Sequence, residues 1–284
     1  MRRGYSPAKA FAIELLETVA QERRASIRDT WGKVVRDDTT VIIVFYLHQD
    51  DEDASTVSLV REEQSQYNDI VLIRNEDFGN VLATGQAGVT QRVYLMMQHA
   101  QANYDLKLFM KADDDTFVNV PIMLNALRES VKDRFVYIGY PIKKTVQNEG
   151  ADLAQAWLDD LVDEGDWAPT MSSAYMQGGA YILSKEAVDA IVAVNHATGL
   201  RYLRDEDHTV GTWVSPMHLK YLSGDDVGLF FWPWGFQAGY IQEAENYCQE
   251  AHQPIGWVHM LKKRDDMLEV FRLAQSCGDI PPSL

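Results

Sequence analysis

Leu106-Lys107-Leu108-Phe109-Met110, followed almost at once by Asp113-Asp114-Asp115, is the stretch on which the fold of this chain turns. An apolar run of strand length gives way to three consecutive carboxylates. The end of a buried strand is where open parallel sheets place their ligands. The preceding segments alternate in the same way. Val41-Ile42-Ile43-Val44-Phe45-Tyr46-Leu47 is a continuous β-branched and aromatic run, expected of a strand buried on both faces. The acidic Asp50–Asp53 suits a helix start, because carboxylates favour the positive end of the helix dipole. A polar helical stretch then leads to a short strand over Asp69–Ile73, and Gln86–Gln101 carries Val89, Val93, Met96 and Met97 near the helical period. This order of strand and helix predicts an α/β fold, with a mainly parallel central sheet flanked by helices.

Downstream the pattern loosens. Phe135–Tyr140 reads as a strand and Pro141–Trp167 as a long charged insertion. Gly178–Leu183 reads as a turn feeding a strand, with Ser184 capping a helix over Lys185–Asn195. The tryptophan-rich Phe230–Phe236 reads as irregular, packed over the sheet or lining a cleft. No internal repeat, low-complexity tract or flexible linker divides the 284 residues, so one domain is expected.

Composition narrows the partners. The chain has 26 Lys and Arg against 42 Asp and Glu, a formal charge of −16. Such a surface repels phosphate backbones, so no nucleic-acid partner is expected. A phosphate-bearing substrate would need a local metal or a few placed arginines. No run reaches the roughly eighteen apolar residues of a membrane span, and the opening Met1-Arg2-Arg3 leads into a mixed segment without a signal-peptide core. Cys248 and Cys277 fit one disulfide or two buried thiols equally well, and no Asn-x-Ser/Thr sequon supports a secretory address.

Several residues are candidates for chemistry. Carboxylates at alternate positions of an extended backbone can face one side, so Asp113 and Asp115 can share a hard divalent cation. The plain alternative is a solvated acidic turn; the apolar Thr116-Phe117-Val118-Asn119 that follows favours a turn held against the core. Arg24 and Arg28 are four residues apart on one helix face, placed to grip a phosphate or a base carbonyl, or else to pair with Glu22 and Asp29. Glu206-Asp207 opens a helix that runs to Trp213. A carboxylate against aromatic surface can keep a raised pKa and act as a base, although Asp207 could equally cap the helix. His259 follows the apolar Ile255-Gly256-Trp257-Val258 as if at a strand end, either hydrogen-bonded or ligating a metal.

In their order these segments resemble glycosyltransferase family 31, the inverting β-1,3-galactosyl- and N-acetylglucosaminyltransferases of the GT-A fold. The resemblance is carried by Arg24-x-x-Ile27-Arg28-x-Thr30-Trp31, Lys111-x-Asp113-Asp114-Asp115-x-Phe117-Val118-Asn119, Gly178-Gly179-x-Tyr181-x-Leu183-Ser184 and Glu206-Asp207-x-x-Val210-Gly211. Trp213-Val214-Ser215-Pro216, Val258-His259 and Asp265-Asp266-Met267-Leu268 resemble the branch containing the galactosyltransferase of the proteoglycan linker and the plant hydroxyproline galactosyltransferases. The resemblance implies one GT-A catalytic domain over residues 1–284, with a nucleotide-binding half about 1–120 and an acceptor-binding half about 121–284. It implies Asp207 as catalytic base and Asp113, Asp115 and His259 as ligands of Mn²⁺ or another divalent cation. Arg24, Arg28, Lys111, Asp114, Gly178 and Gly179 would bind the donor, with Glu206 and Trp213 at the acceptor or in support.

The implied partners are a UDP-sugar, with galactose favoured, and a glycan, glycoprotein or proteoglycan acceptor. Family members are anchored in the Golgi by an N-terminal helix. The expectation is therefore the lumenal catalytic part of a type II membrane protein, or a cytosolic protein if the chain is complete. Three departures stand out. Thr84-Gly85-Gln86-Ala87-Gly88 replaces an Asn-Leu-Thr-x-Lys helix start, His208 stands for a valine, and Gln177 precedes the glycines where a small residue is usual. The competing readings are a transferase using UDP-N-acetylglucosamine, a catalytically silent sugar-binding relative, and a metal hydrolase built on the same carboxylates.

Overall fold

The structure, a computed structural model, describes residues 9–14, 21–35, 40–48, 54–74, 86–130, 135–142, 175–198, 200, 205–232, 253–277 and 280. In chain order the strands are β1 (Lys9–Glu14), β2 (Val41–His48), β3 (Ile70–Ile73), β4 (Leu108–Asp113), β5 (Phe117–Val118), β6 (Val136–Ile142), β7 (Tyr175–Ser184), β8 (Lys220–Leu222), β9 (Phe230–Trp232) and β10 (Ile255–Val258). The helices are α1 (Gln21–Asp29), α2 (Trp31–Val34), α3 (Ala54–Tyr67), α4 (Gln86–Asn103), α5 (Val120–Ser130), α6 (Lys185–Thr198), α7 (Glu206–Val214) and α8 (Arg264–Ser276). Seven strands form one sheet in the order β3-β2-β1-β4-β7-β6-β8, and β5-β10-β9 form a second. The β1, β2, β3 and β4 pairings are parallel, as is β6 with β8, while β7 runs antiparallel to both β4 and β6. The mainly parallel α/β sheet expected from the sequence is present, and it is continuous across the two halves of the chain.

Period-two alternation divides the side chains of this sheet between two cores. Phe45 and Leu47 of β2, Met110 and Ala112 of β4, and Ala180 and Ile182 of β7 pack on one face with Ile27, Trp31, Met123 and Phe271. Val44, Tyr46, Phe109, Tyr181 and Leu183 take the other face, with α4, α6 and α7. Burial on both faces is why these strands read as unbroken apolar runs. Continuing the alternation along β4 puts Lys111 and Asp113 on the face of Phe109, where α7 packs against β7.

Three local expectations are corrected. Gly178 and Gly179 lie inside β7 and not in a turn before it. Ser184 does not cap the helix that follows, because its Oγ accepts the Val136 amide from β6 at 3.2 Å. Phe230–Trp232 is a strand, with Phe231 stacked on Trp257 at 3.4 Å between ring centroids; Pro233–Phe236 lie outside the described residues, as do Asp50–Asp53, Thr84–Gly85 and most of Pro141–Trp167. Cys277, at the end of α8, is disulfide-bonded, and Cys248 lies outside the described residues. Among the described residues no helix is long and apolar enough to cross a membrane.

Candidate active site

The strand β4 ends at Asp113, and the chain turns through Asp114 and Asp115 before β5. Thr116 N–H closes the turn on the Asp113 carbonyl at 3.1 Å, and Thr116 Oγ1 donates to the Gly179 carbonyl at 2.9 Å. A third strap comes from the segment after β10, where Leu261 N–H donates to the Asp115 carbonyl at 2.8 Å. This is a turn held against the core and not a solvated loop: Asp114 is 7% exposed and Asp115 2%.

His259 enters from the end of β10. Its Nε2 lies 3.1 Å from Asp113 Oδ2 and 3.2 Å from Asp115 Oδ1, and the latter oxygen is buried without a well-aligned hydrogen bond. The other ring nitrogen, Nδ1, faces Gln177 Nε2 at 3.2 Å. The ring fits only because residue 179 is glycine. A Cβ there would stand 2.3 Å from His259 Cγ, closer than any packing allows. One ligand atom from each of Asp113, Asp115 and His259 lies within 4.8 Å of the others. Two carboxylates and an imidazole suit a divalent cation of intermediate hardness, so the donor set fits one.

Lys111 joins this cluster to a second one. Its Nζ donates to Asp113 Oδ1 and to the Gly178 carbonyl, both at 2.6 Å, and sits 3.2 Å from Glu206 Oε2. Glu206 also accepts the Tyr181 hydroxyl at 2.6 Å. Asp207, next along α7, accepts Gly178 N–H at 2.9 Å and His208 N–H at 2.7 Å. Gly178 therefore carries Asp207 on its N–H and Lys111 on its carbonyl, so this one residue, through two successive peptide groups, links Asp207 to the Lys111–Asp113 pair.

The titration of these groups follows from burial and charge. Burial raises Asp207 above its ordinary value, against the amide of His208 and the charge of Lys111. Glu206 is likewise raised by burial, with Lys111 opposing. Burial pushes Asp114 up to about 6 despite Arg23, whose Nη1 donates to Asp114 Oδ1 at 2.9 Å. Burial would raise Asp115 too, but His259 and Lys262 hold it well below the usual carboxylate range. Burial would lower His259, but the carboxylates of Asp113 and Asp115 outweigh it and raise the imidazolium to about 9.

That value sets a pH dependence. A cation at Nε2 must displace the His259 proton at any pH below about 9. Its affinity should climb by about tenfold per pH unit through the neutral range and level off near pH 9, a slope that calorimetry with MnCl₂ can read. The cation-free fold behaves in the opposite sense. With a raised folded-state pKa, the His259 contribution to stability is complete below ~6.5 and is lost as the pH rises through about 9.

The structure thus brings together Lys111, Asp113, Asp114, Asp115, Gly178, Gly179, Glu206, Asp207 and His259. Arg24 and Arg28 do not join them. Arg24 is 1% exposed and pairs bidentately with Glu63; Arg28 bonds Glu63 at 2.6 Å and Asp69 at 2.8 Å, and lies over the Tyr67 ring. Their partners are Glu63 and Asp69, not Glu22 and Asp29. Trp213 also points elsewhere. Six residues of helix turn through roughly 240°, and its indole is buried edge-on to Tyr94 in the second core. Arg23 and Lys262 meet the acidic turn, and neither stood out in the sequence. Arg23 adjoins the arginine pair on α1, and Lys262 follows His259 by three residues.

The family model described as Galactosyltransferase matches residues 22–224. Hydroxyproline O-galactosyltransferase GALT5 of Arabidopsis thaliana is 27% identical over 201 residues, covering 69% of this chain and 27% of that protein. Beta-1,3-galactosyltransferase 6 of Mus musculus is 27% identical over 220 residues, covering 75% of this chain and 62% of its own. The chain thus spans about a quarter of the length of that plant relative and under two thirds of the mouse one. A solved glycosyltransferase involved in the glycosylation of the major capsid of PBCV-1 aligns over 93% of this chain and 99% of that one, at TM-score 0.40 and 13% identity, a likeness from which no detail carries over.

Proposed function

Because the chain belongs to the galactosyltransferase family, we propose that it transfers galactose from UDP-galactose to an acceptor hydroxyl with inversion, forming a β-1,3 linkage. The acceptor class proposed is a glycan, glycoprotein or proteoglycan, and the compartment the Golgi lumen, as the soluble part of an anchored protein. The α/β architecture accords with the GT-A fold, its nucleotide-binding half about 1–120 and its acceptor half about 121–284.

The observation that carries the reading is Gly178, with Asp207 on its N–H and Lys111, itself bonded to Asp113, on its carbonyl. Asp113, Asp115 and His259 would hold the cation, with Mn²⁺ proposed, which when bound neutralises the diphosphate leaving group. Asp207 takes the proton of the attacking hydroxyl. Two backbone N–H groups fix its orientation, and burial lifts its basicity above that of an ordinary aspartate. Lys111 and Asp114 face the donor. A single displacement needs one base, and Glu206 is already held by Lys111 and Tyr181. Inversion follows if the hydroxyl attacks opposite the leaving group.

The test is donor choice. A site that hydrogen-bonds the axial C4 hydroxyl of galactose leaves polar groups unpaired with its equatorial epimer, a loss of about 1–3 kcal/mol. UDP-galactose should be used at least ~10-fold more efficiently than UDP-N-acetylglucosamine with a common acceptor at matched concentrations. Preference for the N-acetylated donor moves the chain to another branch of the family. No turnover of any UDP-sugar with Mn²⁺ present refutes the reading and favours a silent sugar-binding relative.

A further inference from the structure

Lys262 is the residue of this site that sequence reading does not assign and that the surrounding groups leave free to move. Its Nζ pairs with Asp115 Oδ2, while its own side chain is 58% exposed against 3% for Asp115. The backbone brings it there deliberately. Met260 adopts φ 65°, a left-handed conformation unfavourable for a residue with a Cβ. Leu261 N–H is bonded to the Asp115 carbonyl, and His259 N–H donates to the Trp232 carbonyl at 3.0 Å. This tight turn sends His259 and Lys262 to the same carboxylate from two directions, and strained backbone of this kind gathers at functional sites.

The two lysines of the site differ in what they can do. Lys111 is 3% exposed and held by Asp113, Gly178 and Glu206, so it is a fixed part of the frame. Lys262 is a point charge on a flexible four-carbon stem that is 58% exposed, so its ammonium can leave Asp115 for water while the buried carboxylate keeps His259. A divalent cation on Asp115 would stand beside the ammonium and repel it. In a protein of net charge −16, a displaced ammonium at this rim would be among the few local positive charges available to an incoming phosphate.

We propose that Lys262 neutralises Asp115 until a divalent cation arrives and then turns to the phosphate oxygens of the bound nucleoside diphosphate; this role rests on the nucleotide-sugar reading above. It makes Lys262 both a competitor of the cation and a ligand of the nucleotide. A lysine that merely supports the turn would weaken both kinds of binding when removed.

The experiment uses the full chain and its Lys262→Ala and Lys262→Arg variants, with MnCl₂ alone titrated by electron paramagnetic resonance and UDP titrated calorimetrically at saturating Mn²⁺. Lys262→Ala should bind Mn²⁺ alone about 2- to 5-fold more tightly, the scale of a lost ion pair whose lysine end is solvated. It should bind UDP about 10-fold or more weakly, the scale of a lost charged hydrogen bond. Lys262→Arg should retain most of the UDP affinity. UDP binding by the alanine variant within twofold of the parent overturns the role of Lys262 alone, as does weaker Mn²⁺ binding. Failure of the parent protein to bind UDP with Mn²⁺ present overturns the nucleotide-sugar reading, and the phosphate role with it.

Discussion

Asp207→Asn should leave donor binding intact and lower turnover by a factor on the order of 10²–10⁴, the usual worth of a positioned general base. Asparagine keeps the shape, and its Oδ1 can still accept one of the two amides that orient Asp207, from Gly178 and His208. It cannot take a proton. The second backbone N–H then faces the amide nitrogen, a cost local to this turn, and the main loss should fall on kcat, with UDP affinity in Mn²⁺ unchanged by calorimetry. Near-normal transfer by this variant would move the role to Glu206. The surroundings of Glu206 argue against that outcome, because its two oxygens are held by Tyr181 and Lys111 in a buried site. A carboxylate so engaged is suited to fixing Lys111, and through it the Gly178 carbonyl, and poorly suited to meeting an acceptor.

The parts of this site legible in the sequence are those written contiguously. Asp113, Asp114 and Asp115 stand at the end of an apolar strand, and strand geometry alone forecasts where they point. Glu206 and Asp207 open a helix, and His259 ends a strand, for equally local reasons. What the sequence hides is occupancy between distant segments. Gly178-Gly179 has the composition of a turn, yet both lie within β7, because the space of a side chain at 179 is filled by the His259 ring. Trp213 belongs to the resembling motif, but six helical residues turn it about 120° away from Asp207 and bury it in the second core. The arginine pair was legible in another way. Arg24, Ile27, Arg28 and Trp31 fall at i, i+3, i+4 and i+7, the spacing of a core stripe, and all four are buried. A stripe of that spacing predicts arginines paired inside, with the neighbouring Arg23 left at the rim to meet the acidic turn.

Glu63→Gln tests that reading of the arginines. Glu63 is 4% exposed and accepts from both Arg24 and Arg28, so it is the centre of a buried ionic cluster tying α3 to α1. Burial would raise its pKa, but the two guanidiniums outweigh burial and hold it below the ordinary value. Glutamine keeps the volume and removes the charge, leaving the 1%-exposed Arg24 without a carboxylate partner among the described residues. Breaking a buried pair from one side costs about 3–5 kcal/mol, so the urea midpoint should fall steeply while the slope of unfolding free energy against urea stays the same. The acid limb supplies an independent sign. A depressed carboxylate contributes stability above its unfolded pKa of ~4.3, and that contribution is lost as the pH falls through the lower folded value. The parent protein should therefore weaken faster than the variant between pH 5 and the onset of acid unfolding. If Arg24 and Arg28 were instead held out for a ligand, Glu63→Gln would cost little stability and would change UDP affinity; a variant as stable as the parent but altered in UDP binding would return the arginines to the donor site.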